Sequence, residues 1–317
     1  MTLSSGNVLK IVLFYVAIGY SIPGYAALFI TIYILSAKRF KNRFKYSFYT
    51  LFKVQCILDV CFQFTNAVMF RAAYSTLFNK LINETDVIKT GVFATAGYFI
   101  FYYFLFTSSF SVVLIAMNRV TIMVLPKSFR WYWKRHLSHL LIILFLLPIV
   151  FTWHIIAGGS FFVEYEDAYV PDHHKIFGIK NSGYTFVVHF VNDTFVLLVN
   201  LVIIAFVVIN RRKQVEWLEL KLFFLTMANF TFQLIRGMYQ FNAYFRFCEP
   251  CYVSTFLVHP LIVDITTFLN PWCLLATSSA FRRSVKELLP CMKAVSEDRR
   301  IHIVTTTDTS HRSIAMK

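Results

Sequence analysis

The residues able to do chemistry in this chain are few, and most of them lie where charge is costly. Asp59, Asp193, Asp264, Lys53 and Arg236 interrupt long apolar stretches, and Asn118-Arg119 break the run SVVLIAMNRVTIMVLP shortly before Pro126. Ionisable groups in such stretches are retained where they pair, hydrate or switch, so they point to a gated bundle rather than to bond-making chemistry. No HExxH, Gly-x-Ser-x-Gly or phosphate-loop pattern occurs. His173-His174 lie in the acidic stretch FFVEYEDAYVPDHHK, which reads as a solvated lid; a metal site there needs further ligands that no pattern specifies. The expectation is a protein that is not an enzyme and uses no cofactor or metal.

The elements that must position these groups follow from composition. The chain has 317 residues, 57% of them hydrophobic and 15% charged, with a mean hydropathy of +0.60. Soluble domains carry about 25% charged residues, so this chain is built for an apolar solvent. Seven apolar blocks occupy 11–36, 46–70, 91–117, 137–158, 184–209, 222–244 and 252–276. A helix of roughly 20 apolar residues crosses a hydrocarbon core of about 30 Å, and period-two alternation, the mark of a barrel, is missing from the blocks. The reading is an all-α membrane protein, a seven-transmembrane helix bundle over 11–276, with a short N-terminus (1–10) and a tail (277–317). The first block is long, uncharged and preceded only by Lys10, which fits a retained span better than a cleaved signal peptide.

Charge sets the orientation. The segments 37–45, 118–136, 210–221 and 277–317 hold 22 of the 31 Lys and Arg residues, and the opposite loops hold seven. The positive-inside rule then puts the N-terminus outside and the tail in the cytoplasm. The net charge of +15 is a topology signal and a contact with anionic lipid head groups, not a nucleic-acid surface. Asn83-Glu84-Thr85 falls in an outer loop as a glycosylation sequon, either used or bare. Cys248 and Cys251 allow a local bridge, whereas Cys56, Cys61 and Cys273 read as packing residues. The segment FRRSVKELLPC forms an amphipathic eighth helix for the inner leaflet, with Cys291 either palmitoylated or free.

Depth can now be given to the polar residues. Asn118-Arg119 close the third span at its cytoplasmic end, where the arginine either snorkels or pairs with neighbouring helices. Lys53 reads as snorkelling. Asp59, Asp264 and Asn270 lie at comparable depth and are expected to share a hydrated network, the alternative being that Asp59 only cements packing. Asp193 and Arg236 are expected to pair across the fifth and sixth spans. Tyr98, Tyr102, Tyr239, Gln240, Tyr244 and His259 sit in the outer half, as core packing or as walls of a ligand pocket. At the inner side Arg119, Lys134, Arg135 and the loop NRRKQVEWLELK face the cytoplasm, and the tail from Ser296 is rich in Ser and Thr.

The triplet Asn118-Arg119-Val120 followed by Pro126, with Asn270-Pro271 in FLNPWCLL and Asp59 in the second span, resembles the G-protein-coupled receptors. The acidic and aromatic members of that family's triplet are missing, and Leu274 stands in place of its seventh-span tyrosine. The second span YSFYTLFKVQCILDVCFQFTNA, the close AMNRVTIMVLP and the seventh-span end DITTFLNPWCLLATSSAFRRSV are most similar to nematode serpentine chemoreceptors, class gamma or its relative class V. The resemblance implies a plasma-membrane or ciliary receptor that binds an extracellular small molecule and engages a heterotrimeric G protein. It also implies coupling and switch roles for Asn118, Arg119, Asn270 and Pro271. An opsin is excluded by the lack of a lysine in the seventh span, and a transporter by the lack of internal duplication. The alternative is a seven-helix ligand-gated ion channel of odorant-receptor type, which requires the opposite orientation.

Overall fold

The computed structural model describes residues 5–44, 46–72, 75–165, 168–178, 181–209, 217–245 and 249–288. Long helices dominate it: α1 (Ser5–Ser36), α2 (Ser47–Asn66), α5 (Val92–Val124), α6 (Pro126–Gly158), α7 (Asn181–Ile209), α8 (Trp217–Phe245) and α9 (Glu249–Thr277). Two short helices, α3 (Thr76–Glu84) and α4 (Asp86–Thr90), join α2 to α5, and α10 (Ser279–Leu288) closes the described chain.

Among the described residues, four helices are long and apolar enough to cross a membrane: α1, α5, α6 and α7. The end of α9 with α10 makes a fifth if that pair, bent by 99°, counts as one span. The apolar character of α2 is diluted by Lys53, Gln55, Asp59, Gln63 and Asn66, and that of α8 by Glu219, Lys221 and Arg236. Large side chains such as Ile142, Ile143, Leu146 and Val150 are exposed along α6, a surface suited to lipid rather than to water.

Proline and glycine set the boundaries. Helix α5 runs through Asn118-Arg119 and ends at Leu125, where the following Pro126 disfavours helical backbone. Pro126 then opens α6, a position where its missing N–H costs nothing. Helix α6 stops at Gly159, whose φ of 72° suits a residue without a side chain. Arg282 Nη1 donates to the carbonyls of Leu275 and Ala276 at 3.1 and 2.6 Å, satisfying the end of α9 at the sharp bend into α10.

The all-helical expectation needs one correction. Segment 159–183 contains an antiparallel hairpin of β1 (Ser160–Tyr165) and β2 (Ala168–His173), with Ser160 opposite His173. It is not merely a solvated lid, because Phe162, Tyr169 and His173 are buried. Alternation explains this: Tyr169, Pro171 and His173 face inward, Asp172 is half-buried and His174 is exposed. The hairpin is tied to α5 by the Ser160 N–H, which donates to Thr95 Oγ1 at 2.8 Å, and to α3 by Tyr169 Oη donating to Asn83 Oδ1.

Helix α5 is central, packing on α2, α6, α7 and the hairpin. Apolar side chains close both ends of the bundle. At the end carrying α10 they include Phe44, Phe48, Phe52, Trp133 and Phe281, and at the hairpin end Met69, Ile82, Tyr98 and Phe162. The polar groups are layered between and within these clusters.

Candidate functional site: buried polar layers

At the α10 end, Asn118 Nδ2 donates to Ser47 Oγ at 2.8 Å, joining α5 to α2. Arg119 is buried, and its guanidinium lies over the Phe48 ring, 4.4 Å from the centroid. Of the two expectations for this arginine, the structure rejects snorkelling. The aromatic face supplies part of what water would have given, about 2 kcal/mol in a desolvated cation–π contact. Trp133 Nε1 donates to Thr121 Oγ1 at 2.8 Å and fixes the α5–α6 corner beneath it.

The middle layer is built on Asp59. Its Oδ1 accepts from Gln55 Nε2 at 2.7 Å and Ser108 Oγ at 3.3 Å, and its Oδ2 from Asn270 Nδ2 at 2.9 Å. Three helices, α2, α5 and α9, therefore converge on one carboxylate, with Pro271 buried next to it in sequence. Beside it lies a polar cavity, lined also by Gln233, Arg236 and Thr267, with about 20 Å³ of room for water centres. One water needs roughly 10–15 Å³ on that measure, so the layer can be hydrated.

Arg236 of α8 borders the same cavity. Its Nε and Nη2 donate to His189 Nε2 of α7 at 3.3 and 3.0 Å, so the hydrogen bonds from Arg236 to α7 go to a histidine rather than to the expected partner, Asp193. Asp193 lies one turn further along α7, and its carboxylate faces α8 at Gly237: a Cβ at that glycine would stand 3.2 Å from Asp193 Oδ2.

Asp264 is not part of the Asp59 layer, which corrects the expected three-residue network. It is six residues from Asn270, about 9 Å along the helix and roughly 240° around it, so matching depth did not mean a shared face. Instead Asp264 accepts from Tyr20 Oη and Gln63 Nε2 and is ion-paired with Arg71. Arg71 is carried into the bundle by a π-helical turn, Ala67–Arg71, that prolongs α2; its Nη1 also reaches Ser21 Oγ at 3.0 Å. Asp264 and Arg71 are both buried.

Towards the hairpin, Tyr98 and Tyr102 lie edge to face with their hydroxyls 3.4 Å apart. The Tyr98 ring is 5.8 Å from that of His173, which is 5.8 Å from that of His154. Gln240 is buried and Tyr239 half-buried. Tyr244 is 39% exposed and packs against Phe245 on the rim. The side chains of Cys251 and His259, together with Cys248, Cys291 and the Ser/Thr-rich tail, lie outside what the structure describes. Among the described residues no group of three or more His, Cys, Asp or Glu is placed to hold a metal ion.

Sequence reasoning missed Gln55, Gln63, Ser108, His189, Tyr20, Arg71, His154 and Asn181. A signal for some was present: Gln55, Asp59 and Gln63 recur every four residues and form one polar stripe on α2. Arg71 was assigned to a loop because the apolar block ends at 70.

Comparison with known proteins identifies the bundle. The family model described as Srg family chemoreceptor matches residues 14–285, most of the chain. The chain is also 24% identical over 116 residues to serpentine receptor class gamma-3 of Caenorhabditis elegans, a match covering 36% of this chain and 35% of that relative. The matched part is thus about a third of the relative's length. The chain belongs to the Srg family of chemoreceptors.

Proposed function

We propose that this Srg-family chemoreceptor is a seven-span, G-protein-coupled receptor of the plasma membrane, in sensory neurons the ciliary membrane. Its N-terminus and hairpin lie outside, and its α10 lies on the inner leaflet. A small extracellular molecule binds at the hairpin end, among Tyr98, Tyr102, Tyr239, Gln240, Tyr244 and His259. A heterotrimeric G protein engages the other end through Arg119, Lys134 and Arg135. Asn83 carries a glycan through its amide nitrogen, since Tyr169 uses only its oxygen, and Cys291 is palmitoylated.

The observation that carries this reading is the set of polar side chains spaced along the whole bundle. Arg71 and Asp264 lie near the hairpin, Asp59 and Asn270 in the middle, and Asn118 and Arg119 at the far end. All are buried on α2, α5, α9 or the turn that prolongs α2, inside a protein whose outer faces are apolar. Such groups need partners, and a ligand that binds one arrangement of partners better than another shifts the population between them.

Epitope tags at the two ends test the orientation. On intact cells an antibody reaches the N-terminal tag, and the C-terminal tag is stained only after permeabilisation. The reverse pattern removes the receptor reading and favours the channel.

A further inference from the structure

We infer that the hairpin end holds a site for a small neutral molecule carrying a hydrogen-bond donor beside an acceptor, such as a primary amide or a hydroxy-carbonyl compound, recognised by His173, Asn181 and Thr185. The inference rests on the receptor reading and gives its ligand a chemical class.

Three buried groups motivate it. His173 Nδ1 lies 3.4 Å from Asp172 Oδ1, which also accepts the His173 backbone N–H at 2.8 Å. Neither ring nitrogen of this buried imidazole has a well-formed hydrogen bond; the neutral tautomer with its proton on Nδ1, towards Asp172, leaves Nε2 as an acceptor. Asn181 Oδ1 is 2.5 Å from His154 Nε2, which leaves the amide nitrogen as a donor, also unpartnered. Thr185 lies one turn along the same face of α7; it is wholly buried, and its hydroxyl has no partner.

Buried polar side chains are nearly always hydrogen-bonded, and three exceptions linked through His154 and one turn of α7 call for a missing partner. The groups are complementary to one ligand chemistry: an acceptor at His173, a donor at Asn181 and a hydroxyl able to do either at Thr185. His154 joins them, hydrogen-bonded to Asn181 and stacked on Tyr184 at 5.3 Å, while Tyr98 flanks His173. These rings give the apolar part of a ligand a flat wall. Asp172, the carboxylate that contacts the cluster, is already engaged by His173, so the site calls for a neutral molecule.

The test uses the full receptor in lipid nanodiscs with three probes of similar size, read by ligand-observed NMR. Benzamide offers a donor and an acceptor, acetophenone only an acceptor, and ethylbenzene neither. Benzamide is expected to bind tightest and ethylbenzene weakest. Thr185→Val and His173→Phe should each weaken benzamide by about 3–10-fold, the value of one hydrogen bond, without changing ethylbenzene. Thr185→Val should also raise the melting temperature by about 2–4 °C, because it removes an unsatisfied hydroxyl. Equal binding of the three probes, no binding of benzamide, or a lower melting temperature for Thr185→Val would overturn the site in favour of structural water. The readout needs no G protein, so a failed binding site and a failed coupling proposal are told apart.

Discussion

Asp59 and Asp264 are both buried in this bundle, and their surroundings could hardly differ more. Asp264 is clamped by a guanidinium, a phenol and an amide drawn from α1, α2 and its π-helical extension. Asp59 accepts its hydrogen bonds from neutral groups, Gln55, Ser108 and Asn270, beside a cavity large enough for water whose wall also carries Arg236. A buried charge paired with a charge is fixed, because removing either partner leaves the other stranded. A carboxylate among neutral donors and water can change hydration or partners at lower cost. On this contrast we propose that Asp264 holds the hairpin end together and that Asp59 takes part in switching.

The largest expected effect breaks the clamp. Arg71→Ala strands Asp264 and should destabilise the receptor by about 3–5 kcal/mol, the usual result of breaking a buried pair. Thermal unfolding in nanodiscs and surface delivery would both report it. The double variant Arg71→Met with Asp264→Leu should recover most of that loss; if it does not, the pair is more than a clamp.

Asp59→Asn keeps the shape of the middle layer and puts an amide nitrogen where a donor now points, which Asn270 relieves by turning its own amide over, so its cost should stay near 1–2 kcal/mol. Surface delivery should survive. A loss as large as that of Arg71→Ala would erase the contrast between the layers. Smaller still is Gly237→Ala, whose new Cβ meets Asp193 Oδ2 at 3.2 Å and pushes α7 and α8 apart slightly. About 1 kcal/mol is expected, of the order seen for mild overpacking, and Asp193→Ala in the same background should relieve it.

The smallest effect lies in the hairpin. The His173 side chain and then its backbone N–H hold the Asp172 carboxyl below the usual aspartate value, against the opposing effect of partial burial. A depressed carboxylate stabilises above its unfolded value, about 3.9, and that contribution is lost as pH falls through the folded value. Hydrogen-exchange protection in 160–173, taken relative to the intrinsic rate at each pH, should therefore be steady from neutral pH to about pH 4 and fall below it, while Asp172→Asn should flatten the response.

Much of this contrast was legible in the residues, and the limits are physical. Apolar length located the helices, and Pro126 marked the α5–α6 corner. Depth along a span can be counted, so Asp59 with Asn270 was within reach; rotation cannot be counted without a register, so Asp264 was assigned to the wrong neighbours. Arg71 was hidden because a π-helical turn carries it beyond an apolar block and back into the bundle. The hairpin was hidden because its inward set, Tyr169, Pro171 and His173, contains a proline and a histidine that read as polar loop. Arg119 was read as open to snorkelling because the stacking surface of Phe48 comes from another helix.

The most direct measurement is nucleotide exchange on a panel of heterotrimeric G proteins by purified receptor in nanodiscs, comparing wild type, Asp59→Asn and Arg119→Ala at matched folded concentration. The expected result is exchange above the receptor-free rate for at least one heterotrimer, lost in Arg119→Ala and shifted several-fold in Asp59→Asn, with all three proteins folded. Equal exchange by the three proteins, or no exchange above the receptor-free rate with any heterotrimer, would contradict a switch that links the middle layer to Arg119.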